Sequence, residues 1–375
     1  MWEPQALFSN YIQRQPVIFH GMDALRGLYS IPANRIAVIH GRGMTDTARQ
    51  MLAEIFHKRD LQFLPKSWKG EPRLSNVGET LRAIEEFRPD FFIAVGGGSV
   101  IDGTKLCRLL LEFPFYNKER SRLEGISLHS RFAAVPTTLG SGAEVSSAIM
   151  IIDDATGSKQ AIVHADMRPE AVAYNPAYVS AASHDVQAAS LLDAVSHLVE
   201  GYLSCKKNDM ADLMAEAGIR ILFGELPSLA NGHADFLRLQ YAGYLGGMVQ
   251  DTCLVGAAHA IAHQFGAQGF SHGIAVGILL VPILRWNMQD ETVRSRFHQL
   301  LHRAGIEEKI FFDRLGALQK LGGFDKHQII LKSELSARAK MPGFFEAIRR
   351  DPGGKGNPVP MNDAYLQGFV EDFAE

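Results

Sequence analysis

Asp193 and His197 stand four residues apart in a stretch of helical periodicity, residues 186–204. Residues at that spacing share one face of a helix. His259 and His263 repeat the spacing in a second apolar stretch, 252–265, which reads as another helix, and His272 follows after a glycine-containing loop. Three of the 14 histidines therefore fall within residues 259–272, where even scatter would put roughly half a residue. Leu254, Val255, Ala257, Ala258 and Ile261 make the surroundings apolar, and burying an unpaired imidazole is costly. Two partners are open to such a set. Each histidine can bond a backbone carbonyl as an ordinary core residue, or the set can share one divalent ion. Imidazoles with a single carboxylate suit Zn²⁺ or Fe²⁺ better than Mg²⁺ or Ca²⁺.

A second constellation lies earlier in the chain. The apolar run 90–95 leads into Gly96-Gly97-Gly98-Ser99, and 100–112 then reads as a helix. Glycines let backbone approach a pyrophosphate, and a helix start attracts the anion. The same sequence also serves as a tight strand-to-helix turn that needs glycine only for shape. It is not the GxGxxG fingerprint, and no acidic residue follows at the usual distance. Pro136-Thr137-Thr138-Leu139-Gly140-Ser141-Gly142 follows the next strand-like run, 131–135. Ligands of open α/β sheets bind beyond the carboxyl ends of strands, and this turn adds hydroxyls there.

The elements that must position these groups alternate in type. Runs 35–41, 90–95 and 131–135 read as strands, and 45–57 and 100–112 as helices. Short apolar runs separated by helices predict a parallel sheet covered on both faces. Runs 147–152 and 159–164, around Asp153-Asp154-Ala155-Thr156-Gly157, predict a β-hairpin. From Ala188 onward helical spacing dominates. The expected fold is an α/β N-terminal dinucleotide-binding domain, residues 1–183, followed by an all-α metal-binding domain, residues 184–375. A loop at 351–358 precedes a last short helix.

Composition narrows the function. The chain has 375 residues, too many for one ordinary core. A net charge of −3 argues against nucleic acid or an anionic membrane as partner. Cys107, Cys205 and Cys253 are scattered and odd in number, as in reduced cytoplasmic proteins. Met1-Trp2-Glu3-Pro4 has no basic or apolar leader character, and no apolar run is long enough to span a bilayer.

Taken together, the motifs resemble the iron-containing alcohol dehydrogenases, whose fold is shared with dehydroquinate synthase. The resemblance rests on Gly96-Gly97-Gly98-Ser99-Val100-Ile101-Asp102-Gly103-Thr104-Lys105, on Pro136-Thr137-Thr138-Leu139-Gly140-Ser141-Gly142-Ala143-Glu144, on Asp193-Ala194-Val195-Ser196-His197-Leu198-Val199-Glu200, and on His259-Ala260-Ile261-Ala262-His263 leading to His272-Gly273. It spans nearly the whole chain. It implies a metal-dependent oxidoreductase that moves a hydride between NAD or NADP and a small alcohol or aldehyde, expected as a homodimer. Asp193, His197, His259 and His272 would bind the metal, and His263 would be an unligated proton relay. Gly97, Gly98 and Ser99 would hold the pyrophosphate. Gly41, Asp102, Thr137, Thr138, Ser141 and Lys159 would line the rest of the cofactor cleft.

Three positions depart from the family pattern. Gly41 and Arg42 stand where NAD-specific members carry an aspartate at the end of the first strand, which tilts the expectation towards NADP. Gly142 replaces the substrate-binding aspartate of glycerol dehydrogenases. Asn175-Pro176 replaces the more usual Asp-Pro. Two other functions remain open at this point: a dehydroquinate-synthase-type lyase, which would recycle its cofactor, and a non-catalytic nucleotide-binding protein, which would need no metal. The physiological substrate is not written in these residues.

Overall fold

The computed structural model describes residues 15–116, 123, 125–268 and 270–374. Met1, Trp2, Glu3 and Pro4 lie outside them. The chain divides between Ala182 and Ser183 into two compact units.

The first unit is built on a sheet of six parallel strands: β1 (Val17–His20), β2 (Arg35–His40), β3 (Asp60–Pro65), β4 (Phe91–Gly96), β5 (Arg131–Pro136) and β8 (Ala171–Tyr174). Their order is β1-β8-β5-β4-β2-β3. Strands β6 (Ala148–Ile152) and β7 (Lys159–Val163) form a separate antiparallel hairpin. The sheet needs apolar residues on both sides because helices cover both. In β2, Ile36 and Val38 join one buried cluster with Leu52 and Ile55 of helix α1 (Asp46–Ile55). Ala37 and Ile39 join the opposite cluster with Ile84 of α2 (Gly78–Phe87) and Val100 and Leu106 of α3 (Gly98–Glu112). Period-2 alternation thus sends successive residues to two cores.

Strand order explains where this unit can take a ligand. From β2 the chain steps outward to β3, whereas from β4 it steps the other way to β5. The turns after β2 and β4 therefore part from each other, and this divergence opens the ligand crevice of doubly wound sheets. The sequence reading did not pick out β1, β3 and β8.

The second unit is helical: α5 (His184–Leu203), α6 (Asp209–Leu229), α7 (Phe236–Cys253), α8 (Ala257–Ala262), α9 (His272–Asn287), α10 (Glu291–Ala304), α11 (Glu308–Leu321), α12 (Asp325–Ala339), α13 (Phe344–Arg350) and α14 (Asp363–Ala374), with α4 (Pro176–Ser180) closing the first unit. Helix α5 is buried almost throughout from Gln187 to Leu203. A helix buried on every face belongs in a core, and its buried polar groups, Asp193, His197 and Glu200 among them, need partners there. Among the described residues no helix is long and apolar enough to cross a membrane.

One expected helix is split. Residues 252 and 253 finish α7, the chain turns at Leu254–Gly256, and α8 ends at Ala262, after which His263 opens a 3-10 turn. Leu254 takes φ 62°, a left-handed backbone rare for leucine. The turn redirects the chain so that α8 points His259 at α5.

Candidate metal centre

Four side chains converge within the helical unit. Asp193 Oδ1 lies 3.7 Å from His197 Nε2, 3.5 Å from His259 Nε2 and 3.5 Å from His272 Nε2. Asp193, His197 and His259 are each at least nine-tenths buried, and their donor atoms all lie within 4.8 Å of one another. Helix α5 supplies Asp193 and His197 from one face, α8 supplies His259, and α9 supplies His272 as its first residue. Gly273 permits that last approach: a Cβ there would sit 2.5 Å from the carbonyl oxygen of Ala189 on α5.

These separations are too long for hydrogen bonds and right for a shared ion. A tetrahedral ion with bonds of about 2.1 Å holds its donors about 3.4 Å apart. The chemistry of His259 agrees. Its Nδ1 lies 2.5 Å from Glu200 Oε2, so that nitrogen carries the hydrogen and Nε2 presents a lone pair to the cluster. That buried Nε2 has no hydrogen-bond partner, a costly arrangement without a cation. Burial alone would lower the His259 pKa. The Asp193 and Glu200 carboxylates outweigh it and raise it to about 9, so in the absence of an ion a proton is held there. The residues fit a divalent metal.

Glu200 does a second task. Its Oε1 accepts from the N–H of Ala258 at 2.9 Å, and Asn357 Oδ1 accepts from the N–H of Ala257 at 3.0 Å. Two distant side chains thus satisfy the open first turn of α8. Asn357 is held in turn by Asn287 Nδ2 at 3.0 Å, and Tyr365 Oη donates to Asn287 Oδ1 at 2.7 Å. His263 lies beside the cluster, its ring centroid 5.1 Å from that of His272. Its Nδ1 is 2.8 Å from Asp351 Oδ2.

In the sheet unit, the diverging turns carry Gly41, Gly97, Gly98 and Ser99, the segment after β5 carries Thr137, Thr138 and Ser141, Asp102 lies within α3, and Lys159 opens β7. Gly41 follows β2, and Gly97 and Gly98 open α3. The two turns and the 137–142 segment are packed tightly: a Cβ at Gly97 would lie 2.9 Å from Thr138 Cγ2, one at Gly98 3.0 Å from Ser141 Cβ, and one at Gly43 2.4 Å from Thr137 Oγ1. Ser99 is engaged by its own surroundings. Its hydroxyl donates to Gly70 O and accepts from Lys66 Nζ at 2.9 Å. Asp102 is buried, 3.4 Å from the fully buried Lys105 Nζ. Lys159 is buried too, in an ion pair with Glu71 at 3.0 Å.

The sequence reading gave no role to Glu200, Lys66, Asp351 or Asn357. Glu200 had a usable signal, because it stands three residues after His197 and seven after Asp193 on one helix face. Asp351 and Asn357 had none, since their partners lie 88 and 100 residues away.

Comparison with known proteins matches this geometry to one family. The model described as iron-containing alcohol dehydrogenase matches residues 16–176, and that of the Fe-containing alcohol dehydrogenase family C-terminal region matches 187–322. The chain belongs to the iron-containing alcohol dehydrogenases. It is similar to the 1-propanol dehydrogenase PduQ of Citrobacter freundii, at 28% identity over 74% of this chain and 71% of that one. It is also similar to the probable alcohol dehydrogenase EutG of Escherichia coli, at 30% identity over 67% and 65% of the two. In fold it resembles the iron-containing alcohol dehydrogenase of Thermococcus thioreducens, with a TM-score of 0.83 and 22% identity over 97% of this chain and 99% of that one. A sulfoacetaldehyde reductase from Bifidobacterium kashiwanohense, solved in complex with NAD⁺, gives a TM-score of 0.80 at 20% identity over 97% and 99%. As a member of this family the chain is an oxidoreductase acting on small alcohols or aldehydes, and the lyase and non-catalytic readings fall away.

Proposed function

We propose that this enzyme interconverts a small alcohol and its aldehyde, using one divalent ion, Fe²⁺ or Zn²⁺, held by Asp193, His197, His259 and His272, and NADP(H) at least as readily as NAD(H). The observation that carries the metal assignment is the set of three Nε2 atoms placed 3.5–3.7 Å from one carboxylate oxygen. The ion would supply Lewis acidity at the substrate oxygen, and the nicotinamide would give or accept the hydride. The protein's own groups do the rest. Glu200 fixes the His259 tautomer, and the buried walls of α5 and α8 limit water. His263, buried beside the cluster, moves the proton between the reacting oxygen and solvent.

The 15–182 unit is the proposed cofactor unit, with Gly41, Gly97, Gly98, Ser99, Asp102, Thr137, Thr138, Ser141 and Lys159 shaping its crevice. The NADP reading is supported by the charge at the β2 end. No carboxylate follows His40 there, while Arg42 does. The Lys66 N–H donates to His40 O at 2.9 Å, so a lysine lies alongside Arg42. Burial, and after it the Arg42 charge, lower the Lys66 pKa against the opposing pull of Glu71. Its ammonium also sits at the start of α3, where the helix dipole is unfavourable to a cation. A cofactor phosphate relieves both costs. A reducing cytoplasm is supported by the free Cys107, Cys205 and Cys253. The edge strand β1, with Val17 exposed, supports a homodimer.

Elemental analysis of unchelated enzyme tests the metal assignment. The expected result is near one Fe or Zn per chain, falling at least tenfold in His259→Ala while His263→Ala keeps its metal. Equal metal loss from both variants would abolish the division of roles between the two histidines.

A further inference from the structure

We propose that Asp351 is a positioning residue for catalysis: it dictates which ring nitrogen of His263 carries hydrogen and so presents Nε2 as a proton acceptor. This rests on the reading of His263 as the proton relay. The argument starts from the two bonds of one carboxylate. Asp351 Oδ1 accepts from the backbone N–H of Gly353 at 2.9 Å, and Oδ2 lies 2.8 Å from His263 Nδ1. Asp351 and His263 are both more than nine-tenths buried, so water does not offer a substitute partner. A carboxylate has only acceptors, hence Nδ1 must donate, and in the neutral ring Nε2 holds the lone pair. The loop also closes on the ring, since a Cβ at Gly353 would come within 3.7 Å of His263 Cε1. An imidazole held in this way neither rotates nor changes tautomer freely. A buried carboxylate behind a catalytic imidazole acts in the same sense in serine hydrolases.

The arrangement makes an isosteric substitution decisive. The Gly353 N–H is a backbone donor and cannot become an acceptor. In Asp351→Asn the amide oxygen must therefore face Gly353, which turns the NH₂ towards His263. Nδ1 is then forced to accept, hydrogen moves to Nε2, and the relay can no longer take a proton there. Volume, packing and the loop bond are all retained.

The test compares metal-loaded wild type, Asp351→Asn, His263→Ala and the double variant, with metal content and thermal melting recorded for each. General acid–base help is worth about 100-fold or more, so Asp351→Asn is expected to lose about 100-fold in kcat, with KM and metal content within about twofold of wild type. The double variant is expected to be no slower than His263→Ala. Asp351→Ala, which leaves Nδ1 without its acceptor, gives the same readouts should the asparagine variant not fold. Near wild-type kcat in Asp351→Asn with a slow His263→Ala overturns this proposal alone. Losses that multiply in the double variant also overturn it, because Asp351 would then act independently of His263. Wild-type kcat in His263→Ala overturns the relay reading itself.

Discussion

The two nitrogens of His259 have separate tasks, and pH distinguishes them. Nδ1 is committed to Glu200, while Nε2 faces the proposed ion site and, without an ion, holds a proton up to about pH 9. Metal and proton therefore compete for one lone pair. The sign follows from the raised pKa. In the metal-free enzyme the charged imidazole stabilises the fold fully below its unfolded value of 6.5, and that contribution is lost as pH climbs towards 9. Metal affinity runs the opposite way, rising over the same interval as the competing proton leaves. Melting curves of chelated and metal-loaded enzyme from pH 6 to 9 should accordingly separate as pH rises. Glu200→Gln should collapse the separation, with metal affinity down about 10–100-fold, the usual cost of removing a partner behind a ligand. A constant gap across the range would mean that His259 is not the site of competition.

The elements that present these residues were legible to different degrees. Helix α5 announced itself, because apolar residues dominate it and Asp193 and His197 recur at helical spacing. The sheet was visible in part. Strand β4 is a fully buried run ending in glycine, whereas edge strand β3 carries only one buried residue and β8 is a four-residue insert between β1 and β5. Their pairing, not their own pattern, makes them strands. The split of the expected 252–265 helix was hidden for another reason. Its cause is tertiary: Gly256 is where Glu200 and Asn357 reach in, and a Cβ would stand 2.7 Å from Glu200 Oε1 and 2.9 Å from Asn357 Oδ1. Gly256→Ala should thus displace both caps of α8. Its backbone, at φ −128°, suits alanine, so any cost is steric. The expected outcome is a loss of about 1–3 kcal/mol in stability, the scale for unsatisfied buried groups, together with weaker metal binding. Unchanged melting and metal content would show that the caps move aside freely.

At the scale of the whole molecule, sheet order decides the cofactor argument. The crevice forms where the turns after β2 and β4 part, and no alternation of residues reveals that order. Only with β3 placed outside β2 does Lys66 come to lie beside His40. The sequence could offer Arg42 alone. The prediction is that both cations contribute. Arg42→Ala should weaken NADP(H) binding by about 1.5–3 kcal/mol, the value of a hydrogen bond to a charged group, and leave NAD(H) binding within about twofold, whereas Lys66→Ala, beside the Ser99 proposed for the pyrophosphate, should weaken both. Titration with both cofactors measures this, and equal loss for the two in Arg42→Ala would place that side chain away from the 2′-phosphate.

The caps of α8 carry a consequence for how the enzyme is made. All four proposed ligands have been synthesised by residue 272, yet the carboxylate that fixes His263 arrives at residue 351 and the amide that caps α8 at residue 357. A nascent chain thus displays its proposed metal donors, with Glu200 already behind His259, for some 80 residues before the last groups around the site exist, several seconds at ordinary elongation rates. During that interval ions would bind loosely and exchange. Ion choice at the proposed site would then be made only once Asp351 and Asn357 have joined it, from the free metal present at that moment.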